Sequence, residues 1–171
     1  FTDIPIELDD FKDLHREVCN NTFNSITVDG EMSTNDSFIG VCPVSGENEE
    51  KSGMISRSDN HWPIIYQAYE KVCNELAAKI VEDGEGATRI VELKVEQAFS
   101  FQDADRVARG VANSPLVKTA IFSADPNLGR ILSAIGACAI SRFDEKKISV
   151  QINEYLVIQN GSLVKGYEEK I

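Results

Sequence analysis

Apolar residues recur at three- and four-residue spacing over two long stretches of the chain. Phe11, Leu14 and Val18 predict a helix from Leu8 to about Thr22, and Asp9, Asp10 and Asp13 put negative charge in its first turns, where the helix dipole favours it. A second helix is expected from about His61 to Glu82. Pro63 suits its first turn, Ile65, Tyr69, Val72, Leu76 and Ile80 share one face, and Trp62 anchors its start against the core. Gly84 is placed to end it as a left-handed cap. Ala104, Val107, Ala108 and Val111 form a third helical stripe, stopped by Ser114-Pro115. Asp125-Pro126 predicts a fourth start, with Asp as the cap, Pro in the first position and Ile131, Leu132 and Ile135 buried.

Strand patterns lie between these. Ser25 to Val28 alternates into an Asp29-Gly30 turn, Phe38 to Cys42 reads as a buried strand, and Val91, Leu93 and Val95 alternate with Glu92 and Lys94. Val117 to Phe122 is short and apolar and is read as a strand too. Ile148–Ile152 and Tyr155–Gln159 alternate on either side of Asn153-Glu154, a hairpin candidate, and Asn160-Gly161 marks a further turn. Residues 45–60 are polar, carry both signs of charge and have no period, so an exposed, mobile and easily nicked loop is expected. Alternating helices and strands favour a layered α/β fold. With no repeat, low-complexity tract or linker visible, residues 1–171 read as a single domain.

Composition narrows the function. At 42% hydrophobic and 26% charged residues the chain has the make-up of a soluble globular protein. A net charge of −11 argues against nucleic acid and anionic membranes as partners, and the densest basic run is only Lys146-Lys147. No apolar run approaches the ~20 residues that span a bilayer. Cys19, Cys42, Cys73 and Cys138 lack C-x-x-C spacing, and three of them sit in apolar or helical contexts that suggest small buried hydrophobes in a reducing compartment. With only His15 and His61 beside them, no metal-ligand cluster emerges, and no glycine-rich phosphate loop occurs. The chain begins at Phe1 with no signal-peptide pattern, as expected of a processed or trimmed product.

Three longer signatures are not generic amphipathic patterns: FNSITVDGEMSTND at 23–36, EGATRIVEL at 85–93 and LVKTAIFSADPNLGRILSAIG at 116–136. In this order they resemble the ornithine acetyltransferase family, also called the bifunctional glutamate N-acetyltransferase of arginine biosynthesis. The resemblance covers nearly all of the 171 residues but only the middle of the family's full length. It implies a layered α/β/β/α fold with mixed sheets, and a fragment of the family's C-terminal (beta) chain. Family members cut themselves and use the freed N-terminal threonine as nucleophile. That threonine, the oxyanion hole and a substrate-binding Lys are expected upstream of Phe1, and a substrate-binding Asn beyond Ile171, so no catalytic residue is assigned within this chain. The implied reaction moves acetyl from N-acetylornithine to glutamate, with acetyl-CoA as a further donor in some members. No metal or organic cofactor is implied. The implied partners are the preceding (alpha) chain, in a hetero-oligomer of cleaved chains, and the implied place is the bacterial cytoplasm or, in a eukaryote, the mitochondrial matrix.

Glu85 has two readings. Between Gly84 and Gly86, just past a long helix, spacing alone makes it a solvated loop residue. By resemblance it falls on the family's substrate-binding glutamate, where a carboxylate pairs with an ammonium of ornithine or orients the attacking amine. Ser33-Thr34-Asn35-Asp36 reads as a side-chain-stabilised turn; by resemblance it shapes the wall of the active site. Asp125 to Arg130 opens a helix whose N–H groups can receive an anion, although ordinary capping accounts for the same residues; the family usually carries Trp where this chain has Leu128. Lys118 either pairs with a carboxylate or snorkels to the surface, and His15 reads as a surface or partly packed residue rather than a base. Two other functions fit the chain: an N-terminal-nucleophile aminopeptidase of similar architecture, and a non-catalytic fragment serving in folding or assembly.

Overall fold

A computed structural model describes residues 1–43 and 53–166. They fall into two compact units, Phe1–Ala87 and Thr88 onward. The α/β class expected from the pattern is the one observed: among the described residues, five α-helices accompany a three-stranded antiparallel sheet.

In the first unit, α1 (Leu8–Asn21) packs on α2 (Trp62–Glu82). Phe11, Leu14 and Val18 are buried as their spacing requires, and join Ile6, Trp62, Ile65 and Cys73 in one core. The buried side of α2 differs from expectation. Ile65, Cys73 and Ala77 face inward, while Val72, Leu76 and Ile80 are 46–56% exposed. Cys73 and Ala77, one turn apart, take the buried side despite their lower hydrophobicity. Pro63 sits in the first turn, as expected. Asp83, not Gly84, caps the C-terminus, its N–H bonding to the carbonyl of Lys79 at 3.0 Å. The left-handed residue is Gly86, with φ +69°.

The strands expected in this unit do not form. Phe23–Ser25 is a 3₁₀ turn, because local groups take its hydrogen bonds: Ser25 Oγ donates to the Asn20 carbonyl at 2.8 Å and Ser25 N to the Thr22 carbonyl at 2.9 Å. Phe38 to Cys42 forms no strand, and its carbonyls serve single partners rather than a ladder; the Val41 carbonyl accepts from Thr2 N at 3.0 Å. Of the loop expected at 45–60, residues 45–52 lie outside the described residues. The rest is anchored rather than loose. Ile55 bridges to Ile6, and Arg57 donates its N–H to Asp10 at 2.7 Å and its guanidinium to both carboxylate oxygens of Glu17.

In the second unit, Thr88 to Val95 joins no ladder among the described residues, so the strand expected around Val91 is absent. Helix α3 (Phe101–Ala112) is capped by Ser100, whose Oγ accepts from Asp103 N at 3.1 Å. Ser114-Pro115 ends α3 and also starts α4 (Pro115–Phe122), the segment expected as a strand. A serine cap followed by proline in the first turn is a strong helix start, and Val117 and Ala120, three apart, take the buried side. Asn127, rather than Asp125, caps α5 (Leu128–Ala137): its side-chain oxygen accepts from Arg130 N at 3.2 Å, and its amide donates to Asp125 at 3.1 Å. The buried residue of α5 is Leu128, with Ile131 and Ile135 half-buried and Leu132 exposed.

Both expected hairpin turns are present. Strands β1 (Val150–Ile152) and β2 (Tyr155–Gln159) pair with Ile152 opposite Tyr155, and β2 pairs with β3 (Ser162–Leu163) across Asn160-Gly161, both left-handed. A side chain at Gly161 would meet the Glu145 carbonyl at 2.5 Å, so only glycine closes that turn. Leu128, Val157 and Ile158 form the core that ties α5 to this sheet.

Candidate functional site

Glu85 stands at the tip of a tight turn. Ala87 N donates to the Gly84 carbonyl at 2.9 Å, and Gly86 takes the left-handed position that such turns reserve for glycine. The Glu85 side chain is exposed. What fixes the turn is Gly84. A Cβ there would lie 3.2 Å from the Val81 carbonyl and 3.3 Å from Val28 Cγ1, closer than ordinary contact. Gly84, the residue before the 85–93 signature, thus lies close to Val28 of the 23–36 signature.

Beyond Val28 the chain is held by its own short side chains. Asp29 Oδ1 accepts from Glu31 N at 2.8 Å, and Thr27 Oγ1 from Gly30 N at 3.1 Å. Ser33 Oγ accepts from Asn35 N at 3.2 Å and Asp36 N at 3.1 Å, which makes Ser33–Asp36 the side-chain-stabilised turn its composition suggests. The turn is exposed.

Two residues on, Phe38 enters an aromatic cluster that the sequence does not announce. Its ring stacks on His15 at 4.3 Å and lies 4.6 Å from Phe23. Its carbonyl, an acceptor only, lies 3.3 Å from His15 Nε2, so Nε2 carries the proton. In the neutral ring Nδ1 is then the acceptor, and the Tyr69 hydroxyl at 2.8 Å donates to it. Burial pushes the Tyr69 phenol up to about 12, keeping that donor protonated. Burial also raises the Cys73 thiol. His15 is thus partly packed, as read from the sequence. In the sequence Tyr69 is visible only as one residue of the α2 stripe, since its partner is 54 positions away. Near the start of α2, Asp59 accepts from both the backbone N–H and Nδ1 of His61 at 2.8 Å, the backbone bond contributing most to holding its carboxyl below the usual range.

The third signature lies in the second unit. The α5 N-terminus is occupied by the Asn127 cap, and the Arg130 guanidinium donates to the Leu116 carbonyl at 3.1 Å, so capping and packing account for Asp125–Arg130. Lys118 is half-buried on α4. An open hollow of about 380 Å³ is lined by Arg106, Gly110, Ser114, Ala134, Ala137 and Cys138. The Cys138 thiol donates to the Ala134 carbonyl at 3.1 Å and lies where any Cβ on Gly110 would have to go. Among the described residues, no group of three or more His, Cys, Asp or Glu is placed to hold a metal, all four cysteines are free thiols, and no helix is long and apolar enough to cross a membrane.

Comparison with known proteins is consistent across sequence and structure. The family model described as the ArgJ family matches residues 1–171. The arginine biosynthesis bifunctional protein ArgJ of Neisseria meningitidis serogroup A is 40% identical over 154 residues, 90% of this chain and 37% of that protein. The protein of the same name from Bacillus cereus is 38% identical over 170 residues, 99% of this chain and 40% of its own length. The crystal structure of arginine biosynthesis bifunctional protein ArgJ from Bacillus halodurans matches 98% of this chain and 76% of its own, with a TM-score of 0.84 at 33% identity. The chain therefore spans about two fifths of the length of these curated relatives.

Proposed function

The chain belongs to the ArgJ family, and from that premise we propose that it forms part of an acetyltransferase of arginine biosynthesis, moving acetyl from N-acetylornithine to glutamate. The observation that carries the assignment to a site is Glu85: an exposed carboxylate at a glycine-flanked tip whose Gly84 lies close to Val28 of the 23–36 signature.

The chemistry is double displacement. A threonine hydroxyl upstream of Phe1, freed as an N-terminus by autocatalytic cleavage, attacks the acetyl carbonyl of N-acetylornithine. Its proton passes to the threonine's own α-amino group or a nearby water. The C–N bond breaks, ornithine leaves as the amine, and acetyl remains as an ester on the threonine. The amine of glutamate then attacks that ester, the C–O bond breaks, and the threonine is regenerated with N-acetylglutamate released. Glu85 binds the substrate, pairing with an ammonium of ornithine or orienting the incoming amine. Acetyl-CoA is an alternative donor, and no metal or bound organic cofactor takes part. The preceding alpha chain supplies the oxyanion hole and a binding lysine, in a hetero-oligomer of cleaved chains. The setting is the bacterial cytoplasm, or the mitochondrial matrix in a eukaryote.

The test is to assay the complete enzyme and the 171-residue chain side by side for transfer from N-acetylornithine to glutamate, with mass spectrometry of the enzyme during turnover. The complete enzyme transfers acetyl and carries one acetyl group on a threonine preceding Phe1, and the 171-residue chain does neither. Acetyl found on a residue of this chain, or hydrolysis of short peptides without acetyl transfer, contradicts the proposal.

A further inference from the structure

The Tyr69–His15–Phe38 arrangement connects three parts of the first unit. Tyr69 is on α2, His15 on α1, and Phe38 on the segment that leaves the Ser33–Asp36 turn. The hydroxyl of Tyr69 donates to Nδ1 and so keeps the imidazole proton on Nε2, aimed at the Phe38 carbonyl. The contact is backed by packing. A Cβ on Gly40 would lie 2.9 Å from both His15 Nδ1 and Phe11 Cζ, so the backbone at Gly40 lies directly on the ring. Phe23, at the start of the 23–36 signature, packs on the other end, on Phe38. Both ends of the segment that carries Val28 and Ser33–Asp36 are thus held at one histidine-centred cluster, while residues 28–37 between them are exposed and make short local bonds.

We propose that His15 is a positioning residue: held in one tautomer by Tyr69, it fixes the Phe38 carbonyl and with it the Ser33–Asp36 turn, and so sets how that turn meets the amino-acid substrate. This rests on the reading of Glu85 and the 28–36 segment as one substrate site. His15 touches no substrate; it acts through the backbone it holds.

The experiment compares His15→Leu, His15→Gln and Tyr69→Phe in the complete enzyme. It reads amide exchange at Asn35 and Asp36 together with KM and kcat for N-acetylornithine. Loss of one pinning hydrogen bond in His15→Leu speeds exchange at those two amides about tenfold and raises KM about tenfold, with kcat within about twofold of wild type. His15→Gln, which keeps a side-chain N–H for the Phe38 carbonyl, returns both readouts to within about threefold. Tyr69→Phe retains the ring and its packing, and moves both in the same direction as His15→Leu. If His15→Leu fails to fold, the Tyr69→Phe and His15→Gln pair decides the matter. Unchanged exchange at Asn35 and Asp36 overturns the pinning, and faster exchange with an unmoved KM overturns the link to substrate. A wild-type complete enzyme with no transfer activity sinks the proposed function and the KM effect with it, and is told apart because the exchange contrast among the variants is read without substrate.

Discussion

Glu85 owes its exposure to its neighbours: Gly84 fits against Val28 and Gly86 supplies the left-handed turn. Gly86→Ala places a Cβ where φ is +69°, and is expected to destabilise the turn by about 1–2 kcal/mol, measurable as a lower urea midpoint with an unchanged slope. That Glu85 lies in a loop is legible in the sequence, because glycine on both sides prescribes a turn with no help from distant residues. The seat on Val28 and the His15–Tyr69 bond are not, since each joins positions more than 50 apart. Tyr69 yields a pH prediction. Burial disfavours the phenolate, so the folded chain holds the proton more tightly than the unfolded one, whose phenol titrates near 10. The stability this contributes is complete below about pH 10 and is lost as pH rises through about 12. A titration followed by phenolate absorbance should show Tyr69 ionising last, and Tyr69→Phe should remove that step. Tyr155 is also raised, chiefly by its hydrogen bond to Glu154, and is partly buried against the Leu128 core.

At the scale of elements, α2 shows what periodicity misses. Its extent and its proline start follow from sequence, yet its core-facing side carries Cys73 and Ala77 rather than the larger Val72 and Leu76. Ala77→Leu should therefore cost about 1–3 kcal/mol through overpacking, whereas Leu76→Ala, at a position 46% exposed, should fall well short of the 2–5 kcal/mol of a core truncation. Chemical denaturation of the 171-residue chain distinguishes the two. The same logic applies to α5. Leu128 is buried against Val157 and Ile158, so Leu128→Ala should cost about 2–5 kcal/mol, while the exposed Leu132→Ala costs little. The departure of α4 from the expected strand has a local cause: Ser114-Pro115 reads as a stop, although the same pair caps and starts the next helix.

Across the whole molecule, the alternation of helical and extended patterns is enough for the α/β class, and the hairpin from Val150 to Leu163 is legible because its turns are encoded by adjacent residues. The strands expected around Ile26, Phe38 and Val91 are absent, because a strand needs a partner from elsewhere and alternation alone does not supply one. Function follows the same division. The three signatures indicate the family, while the meeting of the Glu85 turn with Val28 emerges only from the fold. The central claim is that this meeting marks the substrate site, and the complete enzyme carrying Glu85→Ala tests it most directly. Breaking a charge pair with the substrate costs about 2–5 kcal/mol, so kcat/KM for transfer from N-acetylornithine to glutamate should fall about 30- to 3,000-fold, with the urea midpoint nearly unchanged because Glu85 is exposed in a turn. A variant that folds normally and keeps near-wild-type kcat/KM would place the substrate site elsewhere.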